Sequence, residues 1–355
     1  MAVHKFYKRE SFPYAKNDNQ KIPTEIVKIP SMIYNQWYII LGSKELKRNK
    51  PLKIKRLNLN LALWRNNKNE ACCIADLCCH RGASLGCGKI VNGSLKCPFH
   101  GFTYNKSGNV TTIPANGKNS PVPKSFKVQS YKTFEDYGFI WMWWGDDDKI
   151  PGIPFFFKEL KGFSYSGFKD HWNVHYSRAI ETQLDVVHLP FVHRTTIGRG
   201  DKTLVNGPVV FREKELITFY VDNVKDDGKS IPLKPNEVKD YQKLFHLQFH
   251  YPNIWQNYIS SNIRAFAAFV PIDDENTAVY IRYYQKLVKL PLLKELMNFM
   301  GKLLSIIILW QDKRVTTTQR PKKSGLTMEE HLIMGDSPII EYRKHKQFLV
   351  ESSSK

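Results

Sequence analysis

The sequence has no apolar run of about 18 residues or more, and we therefore expect no transmembrane helix. No repeat period runs along the chain, which excludes repeat arrays, collagen and coiled coils. Residues 1–30 lack the apolar segment of a secretory signal peptide. Cysteine is absent outside residues 72–97, which argues against a disulfide framework like that of small secreted proteins. Together these absences favour a cytoplasmic protein.

The 355 residues are 42% hydrophobic and 13% aromatic, a balance that allows a large core and favours two domains. The formal net charge of +20 favours an acidic partner, such as nucleic acid, an anionic membrane surface or an acidic protein. The lysines are spread along the chain, however, and no basic block is interleaved with aromatic residues as in a nucleic-acid-binding module. We therefore expect no nucleic-acid partner, and we assign residues 1–30 to a basic N-terminal arm.

The six cysteines are confined to one short stretch of the chain: Cys72, Cys73, Cys78, Cys79, Cys87 and Cys97. Cys72 and Cys73 belong to an apolar run, which predicts that they lie in the core. Cys79 occupies a spacer position, and Cys87 is expected to be a small buried residue. Cys78 and Cys97 differ from the others because a histidine follows each of them closely.

Two loops each offer one thiolate and one imidazole, as Cys78-x-His80 and Cys97-x-x-His100. A glycine follows each pair, which suits tight loops that expose their ligands. Tetrahedral zinc accepts this donor set, but zinc modules usually have two to four residues between the first pair and place the second pair on a helix. A [2Fe–2S] cluster with two Cys on one iron and two His on the other, the Rieske pattern, fits the spacing better.

Short β-strands with turn signals surround the two loops, and residues 31–150 are predicted to form an all-β module around the cluster. The run from Tyr137 to Trp144 is rich in aromatic and β-branched residues, which is typical of a buried strand. The acidic turn at 145–148, followed by Pro151 and Pro154, marks a domain boundary. Residues 151–350 then form a second domain.

A second metal site is predicted downstream. His188 and His193 are five residues apart, and Pro190 between them is expected to end any helix, so that the second His comes from the following turn. A carboxylate would complete a facial triad for non-heme Fe(II). Apolar residues from Leu292 to Ile308 repeat every three or four positions and predict an amphipathic helix packed in the core; four residues further lies Asp312. A salt bridge from Asp312 to Lys or Arg is the alternative to iron.

These motifs, with Asp185 three residues before His188, resemble the α subunit of the Rieske non-heme iron oxygenases over residues 31–325 or so. The resemblance is to the branch that includes vanillate O-demethylase oxygenase and the saxitoxin-pathway hydroxylases. Phe99 stands where respiratory Rieske proteins have the cysteine of an extra disulfide, which also favours the oxygenase type. Thr182 departs from the family pattern, in which many members have Asn at that position.

The resemblance implies an α+β chain, in which the all-β Rieske domain precedes a helix-wrapped antiparallel sheet of the helix-grip, Bet v1/START-like type. Strands of this sheet are expected within residues 209–221, 244–250, 262–271 and 278–285. It implies a [2Fe–2S] cluster on Cys78, His80, Cys97 and His100, and mononuclear Fe(II) on His188, His193 and Asp312. A ferredoxin or flavin reductase would supply electrons. Asp185 would bridge the two centres between subunits of a homotrimer, and O2 would be the co-substrate of a mono- or dioxygenase.

The expected substrate is a small organic, ring-bearing molecule that is hydroxylated or oxidatively demethylated, and the sequence does not identify the residues that bind it. Two other functions remain open. A Rieske electron-transfer protein would hold the cluster but leave Asp185, the two histidines and Asp312 without iron. A zinc-containing protein that binds nucleic acid or a membrane surface would account for the positive charge and would hold no [2Fe–2S] cluster.

Overall fold

The computed structural model describes residues 32–353, so the predicted arm at residues 1–30 lies outside the described residues. In the first half of this part the strands are β1 Gln36–Gly42, β2 Leu52–Arg56, β3 Leu59–Arg65, β4 Ala71–Ala75, β5 Lys89–Val91, β6 Ser94–Lys96, β7 Thr103–Tyr104, β8 Val110–Thr112, β9 Ser130–Tyr131, β10 Thr133–Asp136 and β11 Phe139–Trp144. The second half has β12 Ser164–Trp172, β13 Leu204–Glu213, β14 Leu216–Val224, β15 Phe245–His250, β16 Ile254–Ser260, β17 Ile263–Pro271 and β18 Thr277–Gln285. The α-helices are α1 Tyr176–Leu184, α2 Leu189–Val192, α3 Pro291–Thr316 and α4 Ser337–Ser352.

The first half is all-β, as the sequence predicts, and consists of three small antiparallel sheets with the orders β1-β11-β10, β2-β3-β4-β9 and β5-β6-β7-β8. One compact core lies beneath the cysteine loops and includes Trp64, Cys72 and Tyr104. Cys72 and Cys73 are buried, which confirms the prediction for both. The prediction for Cys87 is wrong, because it is exposed at the end of a single 3₁₀ turn whose buried residue is Leu85.

The second half is built on one antiparallel sheet of seven strands, in the order β12-β18-β17-β16-β15-β14-β13, with helices around it. This confirms the predicted fold class. The sequence predicts one strand over 209–221, but the chain turns at 214–215 to form the hairpin of β13 and β14. Lys214 has a positive φ of 53°, a backbone conformation that belongs to a tight turn and not to a strand. The strands β12 and β16 were not predicted.

The sheet formed by β1, β11 and β10 packs against the large sheet and joins the two halves. Trp37 and Trp141 from the small sheet share a core with Phe156 in the connection and with Phe266 and Tyr280 in the large sheet. A continuous apolar layer of this kind fixes the halves relative to each other, because close-packed interiors resist small displacements.

Helix α3 packs against β12 and β18, but the side of the helix that faces the sheet is not the predicted apolar one. Its buried residues include Asn298, Gly301, Leu309 and Asp312, whereas most of the apolar stripe between Leu292 and Ile307 is exposed. The predicted core packing of that stripe is therefore wrong. The physical reason is close contact: a Cβ on Gly301 would lie 2.2 Å from the ring of Tyr283, so only the small-residue face fits against the sheet. Among residues 32–353, no helix has both the length and the apolar character to cross a membrane.

Candidate metal centres

The two cysteine loops of the first half have the same backbone design although their spacings differ. In each, the cysteine N–H donates to the carbonyl five residues later, Cys78 to Ala83 and Cys97 to Phe102, both at 2.8 Å. In each, the glycine four residues after the cysteine donates back to the cysteine carbonyl. Gly82 and Gly101 have φ of 72° and 76°, a conformation that glycine adopts without steric cost. The matching loops bring both Cys–His pairs to one place.

The donor atoms in these loops are divided between the interior and the surface. Cys78 and Cys97 are buried, while His80 and His100 are exposed, with their Nδ1 atoms 3.1 Å apart. The ring of His80 stacks on Phe102 at a centroid distance of 4.7 Å, which holds it in place. Burial raises the pKa of the Cys78 thiol, and the proximity of Cys97 adds to that increase. Two inner sulfurs and two outer nitrogens are the donor set of a Rieske cluster.

Tyr104 lies on the core side of this site, next to the two cysteine sulfurs of the first loop. Its hydroxyl lies 3.1 Å from Cys78 Sγ and 3.2 Å from Cys79 Sγ, and it accepts a hydrogen bond from the Cys79 N–H. Burial and the two sulfurs raise the pKa of Tyr104 well above its usual range, so the phenol keeps its proton. It is therefore available to donate a hydrogen bond to a ligand sulfur. No pattern in the sequence indicates this role for Tyr104.

In the second half, His188 and His193 flank the single helical turn α2, as its N-terminal and C-terminal cap residues. Pro190 lies at the beginning of this turn, where its missing N–H costs nothing, so the prediction that it ends a helix is wrong. His193 comes from the turn that follows α2, as predicted. The turn nevertheless places both rings on the same side, with centroids 5.1 Å apart. A Cβ on Gly198 would lie 1.9 Å from the Leu189 carbonyl oxygen, so glycine allows the chain after His193 to pack back on the turn.

Asp312 on α3 faces both imidazoles. Its Oδ1 lies 2.9 Å from His193 Nε2 and 3.4 Å from His188 Nε2, and the three donor atoms lie within 4.8 Å of one another. Burial by itself would raise the pKa of Asp312, but the two histidines lower it, so the carboxylate stays charged. This Oδ1 is buried without a well-aligned hydrogen bond, as expected of an atom that meets a cation. Within the described part of the chain no Lys or Arg pairs with Asp312, which disfavours the salt-bridge alternative.

Asp185 lies directly after α1 and holds His188 from the other side. Its Oδ1 accepts hydrogen bonds from the backbone N–H groups of Val187 and His188, and its Oδ2 lies 3.4 Å from His188 Nδ1. Burial would lower the pKa of His188, but Asp185 and Asp312 outweigh it and raise that pKa to about 10. The two nitrogens of the His188 ring thus face two carboxylates, Nδ1 that of Asp185 and Nε2 that of Asp312. The contact with Asp185 orients Nε2 towards Asp312.

Two glutamines that no sequence pattern indicates contact the candidate iron ligands His193 and Asp312. Gln311 Oε1 lies 2.8 Å from His193 Nδ1, and Gln183 Nε2 donates to Asp312 Oδ2 at 2.9 Å. Adjacency to Asp312 was the only signal in the sequence for Gln311. Thr182, the departure from the family pattern, lies 2.7 Å from the hydroxyl of Thr316 and so links α1 to the last turn of α3.

A cavity of about 160 Å³ lies beside Asp185, His188 and Asp312. Its wall includes Arg178 and Arg343, each of which forms a buried ion pair with Glu181. Pockets for apolar ring-bearing molecules are mostly lined by hydrophobic and aromatic side chains. The charged wall of this cavity does not match such a pocket, and no substrate-binding residue is assigned from it.

Known protein families match both halves of the chain. The Rieske [2Fe-2S] domain matches residues 36–132, and the vanillate O-demethylase oxygenase C-terminal domain matches residues 172–352, about half of the chain. Chloroplastic chlorophyllide a oxygenase of Chlamydomonas reinhardtii is 31% identical over 175 residues, 49% of this chain and 26% of that protein. The oxygenase component of dicamba O-demethylase from Stenotrophomonas maltophilia is 32% identical over 167 residues, 46% and 48% of the two chains.

Among solved structures, NdmA of Pseudomonas putida CBB5 matches with a TM-score of 0.72 at 22% identity, over 90% of this chain and 91% of that one. This likeness concerns the fold. The chain spans about half, or less, of the length of the curated relatives it matches.

Proposed function

We propose that this chain, which belongs to the family of Rieske non-heme iron oxygenase subunits, is an oxidoreductase that uses O2 to hydroxylate or oxidatively demethylate a small organic substrate. The proposal depends chiefly on one observation, the convergence of His188, His193 and the buried Asp312 in a chain that also has the Rieske loops. A Rieske electron-transfer protein would have no use for that second cluster of donors.

The residues fit two metal groups. Cys78, Cys97, His80 and His100 would hold the [2Fe–2S] cluster, and His188, His193 and Asp312 would hold mononuclear Fe(II). When bound, the cluster supplies one-electron transfer and the mononuclear iron supplies activation of O2. The protein's own part is to fix the ligands. Gln311 and Asp185 engage the Nδ1 atoms of the two histidines, which leaves both Nε2 atoms directed at Asp312.

The net charge of +20 supports an acidic electron-donor protein, a ferredoxin or a flavin reductase, as partner. Opposite charges on the two proteins would speed their encounter.

Asp185 supports a ring-shaped homotrimer. Its side chain is partly exposed beside the charged cavity, and the edge formed by His80 and His100 is exposed elsewhere on the same chain. Two different surfaces that recognise each other make a head-to-tail contact, and such contacts form a ring when the rotation between subunits closes. We propose three subunits, with Asp185 as the contact that joins the two centres between neighbours.

The substrate proposal follows the names of the relatives, which include O-demethylases and monooxygenases of dicamba, vanillate and toluene-4-sulfonate. A small ring-bearing molecule is the common class. Because the cluster needs Cys78 and Cys97 as thiolates and not as disulfide sulfurs, we propose a reducing compartment, the cytoplasm.

Metal and sulfide analysis with EPR on anaerobically purified protein tests the proposal. We expect the two irons and two sulfides of a Rieske cluster plus one further iron per chain. His193→Ala should leave the cluster signal intact and remove the further iron and turnover, whereas His100→Ala should remove the cluster signal and keep the further iron. Two irons that persist after loading with Fe(II) would favour the electron-transfer protein, and zinc without a cluster signal would contradict both functions.

Asp185→Asn tests the contact between subunits. The amide keeps an oxygen for the backbone N–H groups of Val187 and His188 but removes the negative charge next to His188 Nδ1. We expect both metal contents and the trimer to be retained while product formation falls. An unchanged rate of product formation would contradict the bridging role.

A further inference from the structure

We propose that the exposed apolar side of α3 docks the protein on an anionic membrane surface. Six large apolar residues lie along one line of the helix, three or four positions apart, and form what we call the outer stripe: Leu292, Leu296, Phe299, Leu303, Ile307 and Trp310. Their exposed fractions range from 40% to 88%. The proposal concerns a surface outside the two metal centres and does not depend on the proposed chemistry.

The stripe cannot turn inward, because the opposite side of α3 is fixed. Asn298 contacts Ser164 and Gln285 through its side chain, and Gly301 lies against Tyr283 with no room for a Cβ. At the far end, Asp312 is held between the histidines. A rotation that buried the outer stripe would break all of these contacts, so the stripe stays on the surface of the chain.

The size of the stripe is unusual for a surface that faces water alone. At 1.5 Å per residue, the distance from Leu292 to Trp310 along the helix is about 27 Å. Neighbouring Leu293, Met300 and Leu304 are exposed as well and widen it. Apolar surface that is contiguous over this length marks an interaction site, whereas single exposed apolar residues need no explanation.

The charges around the stripe favour a membrane over a second copy of the chain. Lys289, Lys302 and Arg314 lie along or beside it. Glu295 is the one exposed acidic residue on α3, and Lys294, which lies on the other side of the helix, pairs with it. If the same face of two copies met, these basic rims would oppose each other. An apolar stripe with a basic rim is instead typical of helices that lie in the interface of anionic bilayers.

Trp310 at the C-terminal end of the stripe provides a local probe. All eight tryptophans lie in the described part of the chain, and Trp310 is 60% exposed whereas the other seven are buried. Its ring lies 5.7 Å from the Arg314 guanidinium, so an amphipathic ring and a cation end the stripe together. Aromatic rings with such partners are characteristic of the level of lipid headgroups.

The test is flotation of the full-length protein with vesicles of phosphatidylcholine alone or with a third of phosphatidylglycerol. We compare the wild type with the double variant Leu296→Glu/Leu303→Glu on the stripe. The matched control is Ile153→Glu/Ile231→Glu, which makes the same charge change at two exposed positions elsewhere. Circular dichroism and cluster absorbance verify that each variant is folded, and sedimentation velocity without vesicles gives each oligomeric state.

We expect the wild type and the control to float with the anionic vesicles, about tenfold more strongly than the stripe variant. Lipids brominated in their acyl chains should quench the fluorescence of Trp310, and a Trp310→Phe variant should lose this quenching. The absence of flotation, or equal flotation of the stripe variant, would overturn the proposal. A wild type that does not float, together with a stripe variant that changes oligomeric state, would also overturn the proposal. The stripe would then be an interface between copies of the chain.

Discussion

The two nitrogens of the His193 ring are held by two consecutive residues of α3. Gln311 Oε1 lies 2.8 Å from Nδ1, and Asp312 Oδ1 lies 2.9 Å from Nε2. An amide oxygen can only accept at Nδ1, so this nitrogen carries the proton and Nε2 is free to bind a metal. The orientation of one proposed iron ligand is thus set by the residue before another.

Gln311→Leu should therefore weaken Fe(II) binding without removing any ligand. Loss of the hydrogen bond frees the His193 ring to rotate and to change tautomer, and outer partners of this kind typically account for about 10- to 100-fold in metal affinity. Titration with Fe(II) under anaerobic conditions measures the effect. Gln311→Glu keeps an acceptor and is the control that should bind Fe(II) at least as well as the wild type. Equal affinity of the Leu variant would contradict the orienting role.

Tyr104→Phe should lower the reduction potential of the cluster. The Tyr104 hydroxyl is 3.1 Å from Cys78 Sγ, and a hydrogen bond to a ligand sulfur stabilises the reduced, more negative state. A hydrogen bond of about 1 kcal/mol corresponds to about 40 mV for one electron. Redox titration followed by EPR measures the shift. Tyr131→Phe, in the same half of the chain but away from the ligand loops, should leave the potential unchanged, and an equal potential for Tyr104→Phe would exclude a hydrogen bond to sulfur.

The Rieske loops were predictable from the sequence because their structure is local. Each places Cys, His and Gly within five residues and closes with hydrogen bonds of its own backbone. The spacing alone therefore determines where the donors lie. In contrast, the contacts of Gln183 and Gln311 join α1 and α2 to α3 across more than 100 residues, and no local pattern indicates them.

Asp312 was identified by an argument that was partly wrong. The prediction continued an apolar stripe that was expected to face the core, whereas the apolar stripe is largely exposed. The buried line runs through Asn298, Gly301 and Leu309 to Asp312, and the half-buried Ile308 lies beside it. Periodicity thus placed Asp312 correctly relative to Ile308, but only the close contact with Tyr283 decides which side of the helix faces the sheet.

Gly301→Ala should destabilise the chain even though alanine favours helices. The added Cβ would lie 2.2 Å from the Tyr283 ring, so α3 must move away from the sheet, at a cost of about 1 to 3 kcal/mol. Since α3 contains Asp312, binding of Fe(II) should weaken as well. Gly325→Ala is the matched control, because no atom lies within 4 Å of its added Cβ. Urea unfolding distinguishes the two, and equal stabilities would show that the sheet accommodates the methyl group.

His175 should make the stability of the second half depend on pH. It is fully buried at the N-terminus of α1, where its Nδ1 accepts a hydrogen bond from the Ser177 N–H. Burial, with smaller contributions from Lys346 and Lys323, lowers the pKa of His175 from 6.5 to about 2. Below its ordinary pKa the ring is protonated in the unfolded chain and neutral in the folded one. Protons then favour the unfolded state, and stability is lost as the pH falls below about 6.5.

His175→Asn isolates this effect. Asparagine does not titrate, and its side-chain oxygen can still cap α1. The variant loses packing and should be less stable than the wild type at about pH 7.5. Because only the wild type has the titrating ring, its advantage in free energy of unfolding should shrink by about 1.4 kcal/mol between about pH 7.5 and 5.5. Urea unfolding at both values measures the difference. An advantage that stays constant would mean that the buried ring takes up a proton in the folded chain as readily as in the unfolded one.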